Sequence, residues 1–201
     1  MSNAKKVIPM SDSSDQIAPE DLAPTILPDA FHSSEIAHAF LNFTMPRYRE
    51  LPAMPLYRDQ VVAYVENVLQ PLDACVEGSW LSPSMINNYV KMKLVPAPEK
   101  KQYGRNHIAK LIAVCLFKQV LPMAAVESMF RIQQVSYNAD TAFDYVATEL
   151  ESALRAAFML KQENVPDSAQ RITRESLLVR SAITAFVSKA YLLGYLRYTE
   201  L

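Results

Sequence analysis

The sequence contains very little glycine, with three glycines in 201 residues against thirteen prolines. Glycine supplies many of the tight turns that join strands, so this scarcity argues against a large sheet protein. Half of the residues are apolar, which excludes a wholly disordered chain and provides for one full core. We therefore expect a mostly helical protein.

Cysteine is also scarce, since Cys75 and Cys115 are the only two. Cys115 lies in the apolar run of residues 111–117, where a thiol usually behaves as a small buried hydrophobic group. We therefore expect no disulfide and a reducing compartment. The first residues are polar and acidic and lack an apolar segment of signal-peptide length, so we expect a cytoplasmic location.

Residue patterns typical of catalysis are lacking as well. The three histidines, His32, His38 and His107, lie far apart, and neither they nor the cysteines have the spacing of metal ligands. The sequence has no glycine-rich phosphate loop, no paired acid motif and no sign of a Ser-His-Asp triad. We therefore expect no enzyme activity, no metal and no cofactor.

Basic residues concentrate in residues 91–118, which hold seven lysines or arginines and one acid, a net charge of +6. The whole chain has a net charge of −1, so the remainder is acidic. A concentrated basic segment is expected where a surface contacts nucleic-acid phosphates. A solvated lysine-rich surface is the alternative interpretation.

Composition and apolar spacing divide the chain into three parts. Residues 1–30, with four prolines and no sustained periodicity, predict a flexible tail. Residues 31–132 form a module, and residues 138–201 form a helical dimerisation or effector region. Apolar residues at intervals of three and four predict helices near residues 34–43, 57–72, 84–93, 106–118, 123–130, 138–163 and 173–198. Ser82 followed by Pro83 is the expected start signal of the third of these helices, and Asn106 is the expected cap of the fourth.

The segment Ile-Asn-Asn-Tyr-Val-Lys-Met-Lys-Leu-Val-Pro, residues 86–96, resembles the end of the second helix in MerR-type regulators. Their pattern is Leu-Arg-Tyr-Tyr, three variable residues, Gly-Leu, a hydrophobic residue and Pro. Here Tyr89 takes the second tyrosine, Lys93 replaces the glycine, and Pro96 is the proline that turns into the wing. Residues 101–103, Lys-Gln-Tyr, are similar to the Arg-x-Tyr that ends the wing.

A closer resemblance, carried by residues 56–61, 85–91 and 94–103 with His107, is to the bacterial family filed as domain of unknown function 1836, which is considered MerR-like. It extends over roughly residues 40–130. The resemblance implies a winged helix-turn-helix module. Because the apolar spacing predicts two long C-terminal helices after this module, we expect an all-α fold. The resemblance also implies a sequence-specific DNA-binding transcriptional regulator.

The residues themselves favour double-stranded DNA as the partner. Ser84, Asn87, Asn88 and Lys91 follow helical spacing and form one face that can reach base edges or phosphates in a major groove. Tyr89 and Tyr103 either donate a hydroxyl to a phosphate or pack their rings in the core. The predicted DNA-binding residues are Ser84, Asn87, Asn88, Tyr89, Lys91, Lys93, Lys100, Lys101, Gln102, Tyr103 and Arg105.

The C-terminal region predicts a homodimer. Phe143, Val146 and Leu150 begin a heptad seam, and residues 177–196 are apolar on most of the helix circumference. A membrane span is disfavoured because Arg180 and Lys189 fall inside this segment. A helical protein-interaction or adaptor module with a helix-turn-helix shape that does not bind DNA is the alternative function, and a small-molecule effector remains unspecified.

Overall fold

The structure, a computed structural model, describes residues 27–159 and 166–199. Nearly all of the predicted flexible tail, and the predicted helix end near Glu163, lie outside the described residues. Of the described residues, 68% are helical and the only sheet has two strands, which confirms the all-α class. Both cysteines are free and buried, as expected, and burial raises the pKa of each thiol to about 12.

Seven α-helices and two short strands follow one another along the described residues. In chain order they are α1 (Glu35–Leu41), β1 (Leu56–Tyr57), α2 (Arg58–Leu69), α3 (Pro83–Lys91), β2 (Gln102–Tyr103), α4 (Arg105–Phe117), α5 (Met123–Ser136), α6 (Ala139–Phe158) and α7 (Arg174–Thr199). A 3-10 turn at Ala30–Ser33 precedes α1, and two more, Tyr48–Glu50 and Gln70–Cys75, lie before β1 and after α2. The strands pair antiparallel, with Leu56 opposite Tyr103 and Tyr57 opposite Gln102.

Helix starts follow local capping chemistry. At α7, Thr173 Oγ1 accepts from the amide of Ser176, and Ser176 Oγ accepts from the amide of Thr173, a reciprocal pair that satisfies exposed amides. The prediction that Asn106 caps α4 is wrong, because α4 begins one residue earlier. His107 Nδ1 accepts from the amide of Gly104 at 3.1 Å instead.

The C-terminal helices share one core with the rest of the described chain. Phe143, Val146 and Leu150 of the predicted heptad seam are buried inside this core. Trp80, between α2 and α3, lies 6.4 Å from Phe186 of α7 between ring centroids. This shared core argues against a module that folds without α6 and α7.

Close backbone packing also joins α7 to the beginning of the described chain. A Cβ at Gly194 would lie 3.2 Å from Phe40 and 3.3 Å from Ile36, so only glycine allows α1 to approach this closely. By length and composition α7 could cross a membrane. One face of it nevertheless packs on protein, and Arg180 pairs with Glu149 at 3.1 Å.

Ion pairs also tie the two halves of the chain together. The carboxylate of Glu151 on α6 accepts from both terminal nitrogens of Arg47, at 2.8 and 3.0 Å, and from the amide of Met45 at 2.9 Å. Burial alone would raise the pKa of Glu151, but these hydrogen bonds and the charge of Arg47 lower it below its ordinary value. The segment before β1 is thereby fixed to α6.

Candidate nucleic-acid interface

Helix α3 presents one polar face to solvent and buries the other. Ile86 and Tyr89 are 0% and 6% exposed and anchor the inner face. The predicted DNA-contacting residues Asn87, Asn88 and Lys91 are exposed. Because the buried and exposed residues alternate with helical spacing, the outer face is continuous.

The start of α3 is fixed by the predicted signal, a serine followed by proline. Ser82 Oγ accepts from the amide of Met85 at 3.2 Å, and Pro83 occupies the first helical turn. Ser84 is exposed, and its hydroxyl lies 2.9 Å from Ser82 Oγ. Proline costs nothing here because its missing N–H would have no helical partner.

The end of α3 has the hydrogen bonds of a Schellman motif. The amide of Leu94 donates to the carbonyl of Tyr89, and the amide of Lys93 donates to the carbonyl of Val90. Lys93 has a φ of 59°, in the left-handed region where glycine is preferred. The glycine of the MerR-type pattern therefore corresponds to a backbone position that requires positive φ, and here an exposed lysine occupies it.

A tight hairpin turn, defined as residues 99–102, exposes two further cations. The amide of Gln102 donates to the carbonyl of Glu99 at 2.8 Å, and the amide of Glu99 donates to the carbonyl of Gln102 at 3.1 Å. The two residues between them, Lys100 and Lys101, are exposed and have φ of 48° and 66°. Positive φ at both central residues is the pattern of a type I′ turn, which favours Asn-Gly.

The hairpin is anchored by the pairing of β1 with β2, which places Tyr57 beside the half-buried Gln102. Tyr57 is 56% exposed. Its hydroxyl can therefore donate a hydrogen bond to a phosphate oxygen, a contact that tyrosines often make in protein–DNA complexes. Reasoning from the sequence did not select Tyr57 as a DNA contact. Its position in the family-like segment of residues 56–61 was the available signal.

Besides Gln102, three of the residues predicted to contact DNA are buried or half-buried in the structure. Tyr89 and Tyr103 are 6% and 4% exposed, so their rings belong to the core, and burial raises the pKa of Tyr89 to about 12. Arg105 is half-buried; its Nε donates to the carbonyl of Leu51 at 3.1 Å, and its guanidinium lies 5.9 Å from the centroid of the Tyr48 ring. These residues position the surface and contribute little to it.

The cations of the basic segment, residues 91–118, differ in their exposure to solvent, which the charge count alone does not show. Of its seven cations, four are exposed: Lys91, Lys93, Lys100 and Lys101. Lys118 instead donates to the carbonyl of Trp80, and Lys110 is half-buried against a cavity. The surface available to phosphates is therefore the end of α3 and the hairpin turn.

Comparison with known proteins gives one family. The sequence model of the family described as Domain of unknown function (DUF1836) matches residues 46–152, more than half of the chain. The match extends beyond residue 130, where the resemblance in the sequence was expected to end, and it includes most of α6. No curated protein and no solved structure shows a significant match.

Proposed function

The chain belongs to the family described as Domain of unknown function (DUF1836), and from its surface we propose that it is a sequence-specific DNA-binding transcriptional regulator. In this proposal α2 and α3 act as a helix-turn-helix and residues 99–102 act as its wing. Helix α3 enters the major groove, where Asn87 and Asn88 read base edges. Lys91, Lys93, Lys100 and Lys101 contact phosphates.

The observation that carries the proposal is the pair of lysines at the hairpin turn. A non-glycine residue at positive φ costs on the order of 1 kcal/mol or more, and such strain concentrates at functional positions. Lys100 and Lys101 both have this conformation and are both exposed, so nothing in the packing of the described residues requires lysine there. A phosphate backbone gives both cations a partner.

We also propose that the protein is a homodimer, and we now assign the dimer contact to the exposed face of α7 alone. The heptad seam on α6 is buried within one chain, but every exposed residue of α7 between positions 177 and 192 is uncharged. Leu177 and Leu192, at the two ends of this face, are 58% and 56% exposed. A second copy packed on this face would give a two-fold pair of modules, the symmetry of a palindromic operator.

Selection of bound sequences from a random duplex library tests the proposed function. The full chain should enrich a motif, and Asn87→Ala or Asn88→Ala should weaken binding to that motif by about 1–3 kcal/mol with little effect on random DNA. Asn42→Ala, at an exposed residue directly after α1, is the matched control and should change neither. Absence of any enriched motif would favour the adaptor function.

A further inference from the structure

A large open cavity lies on the side of the molecule formed by α4, α5, α6 and the first turns of α7. Its volume is about 780 Å³, within the range of pockets that hold small organic ligands, which is roughly 300–1,000 Å³. Most of its wall is apolar, including Ala113, Phe117, Phe130, Phe143 and Val146. These residues give space for a hydrocarbon group of some length.

The contribution of α4 to the cavity follows from helical spacing. Asn106, Lys110, Ala113 and Phe117 line the cavity at intervals of three or four residues, and Ala109 lies beside them. Two of these five are alanines, whose small side chains leave the space open. The opposite side of α4 packs in the core.

Two cations in the cavity wall lack partners among the residues that the structure describes. Lys110 is half-buried and Arg171 is exposed, and neither makes a hydrogen bond or an ion pair with another described residue. Burial lowers the pKa of Lys110, so an anion beside it would stabilise its charged form.

The acids of the wall already have partners. Asp144 Oδ1 accepts from the amide of Tyr48 at 2.6 Å, and Glu175 pairs with Arg174 at 2.7 Å. The amide leaves the charge of Asp144 in place, but Lys110 and Arg171 outnumber it, so the described wall has a small net positive charge on a mostly apolar surface.

We propose that this cavity binds an amphipathic monocarboxylate, with its carboxylate at Lys110 and its hydrocarbon chain against Phe117, Phe130 and Phe143. Such a ligand satisfies both features of the wall, because it buries apolar surface and supplies the missing counter-ion. The ligand-binding site stands on the cavity alone. Only its regulatory consequence rests on the proposed function.

That consequence follows from the position of α4. The helix begins directly after the hairpin and β2, and Asn106 in its first turn already lines the cavity. Lys110 also borders a shallower cleft that is lined by Lys93, at the end of α3. A carboxylate bound at Lys110 thus lies on the helix that follows the hairpin and beside the cleft that Lys93 lines, and any coupling must be reciprocal between ligand and DNA.

Calorimetric titration of the full chain with laurate, in the absence of DNA, tests the site. Laurate should bind with a stoichiometry of one per chain, and dodecyltrimethylammonium, which has a similar chain and the opposite charge, should bind far more weakly. Lys110→Met keeps the apolar stem and removes the charge, so it should weaken laurate binding by on the order of tenfold or more. Lys100→Met, a matched lysine in the hairpin turn, should leave laurate binding unchanged.

A second variant tests the cavity itself. Ala142→Phe on α6 places a ring in the cavity and should abolish laurate binding while far-ultraviolet circular dichroism stays unchanged. Ala139→Phe, at the first residue of α6, serves the same purpose if Ala142→Phe does not fold.

Several results would overturn the proposal. One is the absence of any heat of binding with laurate, and another is equal laurate affinity in Lys110→Met and the wild type. A third is a chain that is dimeric only without laurate, which would mean that the cavity is a contact between two subunits. If only the ligand proposal fails, laurate does not bind and the wild-type chain still binds duplex DNA. Failure of the DNA proposal leaves laurate binding intact, so the two outcomes are distinguishable.

Discussion

Lys93, Lys100 and Lys101 all have positive φ and are all exposed. Lysine gains nothing from this backbone conformation, and glycine or asparagine would adopt it at lower cost. Three cations therefore occupy positions where stability alone would select other residues. At the residue scale, we interpret them as a compromise in which backbone stability is given up for positive charge at the interface.

Replacing Lys100 and Lys101 together by Asn and Gly separates stability from binding. The double variant Lys100→Asn/Lys101→Gly should raise the thermal midpoint, because Asn-Gly is the preferred pair of a type I′ turn. It should weaken binding to duplex DNA of any sequence, because two phosphate contacts are lost. Differential scanning calorimetry and fluorescence anisotropy measure the two effects. Higher stability with unchanged DNA affinity would remove the hairpin from the interface.

Lys93→Gly tests the strain at the end of α3. We expect it to stabilise the protein by roughly 0.5–1 kcal/mol, because the left-handed conformation of a Schellman motif has no Cβ penalty in glycine. Lys93→Ala removes the charge but keeps the Cβ, so it should not stabilise. Urea unfolding of both variants measures the difference, and equal free energies of unfolding would contradict the assignment of strain to this residue.

Glu151 makes stability depend on pH. Its pKa in the folded protein is lowered from 4.5, so its contribution is present above pH 4.5 and is lost as the pH falls through the lower folded pKa. Glu151→Gln should cost about 1–3 kcal/mol at neutral pH and flatten the loss of stability below pH 4.5.

Glu127→Gln is the matched control for this measurement. Glu127 pairs with Arg131 in an exposed ion pair, which contributes about 0–1 kcal/mol. Urea unfolding at a series of pH values compares the two variants. A pH profile of Glu151→Gln that is parallel to the wild-type profile would contradict the role of the Arg47–Glu151 pair.

At the scale of single elements, the sequence was most informative where one residue determines local geometry. Ser82 and Pro83 predicted the start of α3, and the structure confirms the cap. Thr173 likewise preceded α7. Apolar spacing predicted that each helix exists, but it did not predict every helix end. Helix α5 extends to Ser136, and its end was predicted at residue 130 because the last turns have little apolar pattern.

The hairpin turn could not be predicted in this way, because its sequence contradicts its conformation. Glu99 to Gln102 closes a two-residue turn, but Lys100 and Lys101 lack the Asn-Gly signal that identifies such turns. The sequence also could not show which lysines are bonded within the fold and which are exposed to solvent. Only tertiary contacts show that Lys118 bonds to the carbonyl of Trp80 while Lys100 is exposed.

At the scale of the whole molecule, the shared core predicts that the described chain unfolds as one unit. Phe186→Ala, at a 2% exposed residue of α7, should cost about 3–5 kcal/mol. Val135→Ala, at a residue of α5 that is 88% exposed, is the control and should cost far less.

Trp80, the only tryptophan, reports on the segment between α2 and α3. Its fluorescence and the far-ultraviolet circular dichroism should give coincident unfolding transitions that move together in Phe186→Ala. Two separate transitions, with the fluorescence transition unaffected by Phe186→Ala, would mean that the module is independent of α7.

The proposed homodimer is a further property of the whole molecule. A charge at the centre of the exposed face of α7, as in Ala185→Glu, should dissociate a dimer formed there, since a buried unpaired charge is strongly unfavourable. Light scattering at micromolar concentration measures the mass of both chains. A monomeric wild type would remove the two-fold operator while leaving DNA binding by a single module.

The most direct test is the salt dependence of binding to an arbitrary duplex, measured by fluorescence anisotropy with the full chain. Each phosphate contact contributes about −0.9 to the slope of log affinity against log salt concentration, so four exposed lysines predict a slope of roughly −3 to −4 per chain. Lys100→Asn/Lys101→Gly should make the slope shallower by about two. The same slope in this variant would remove the hairpin turn from the interface, and no binding at low salt would contradict the proposed DNA-binding function.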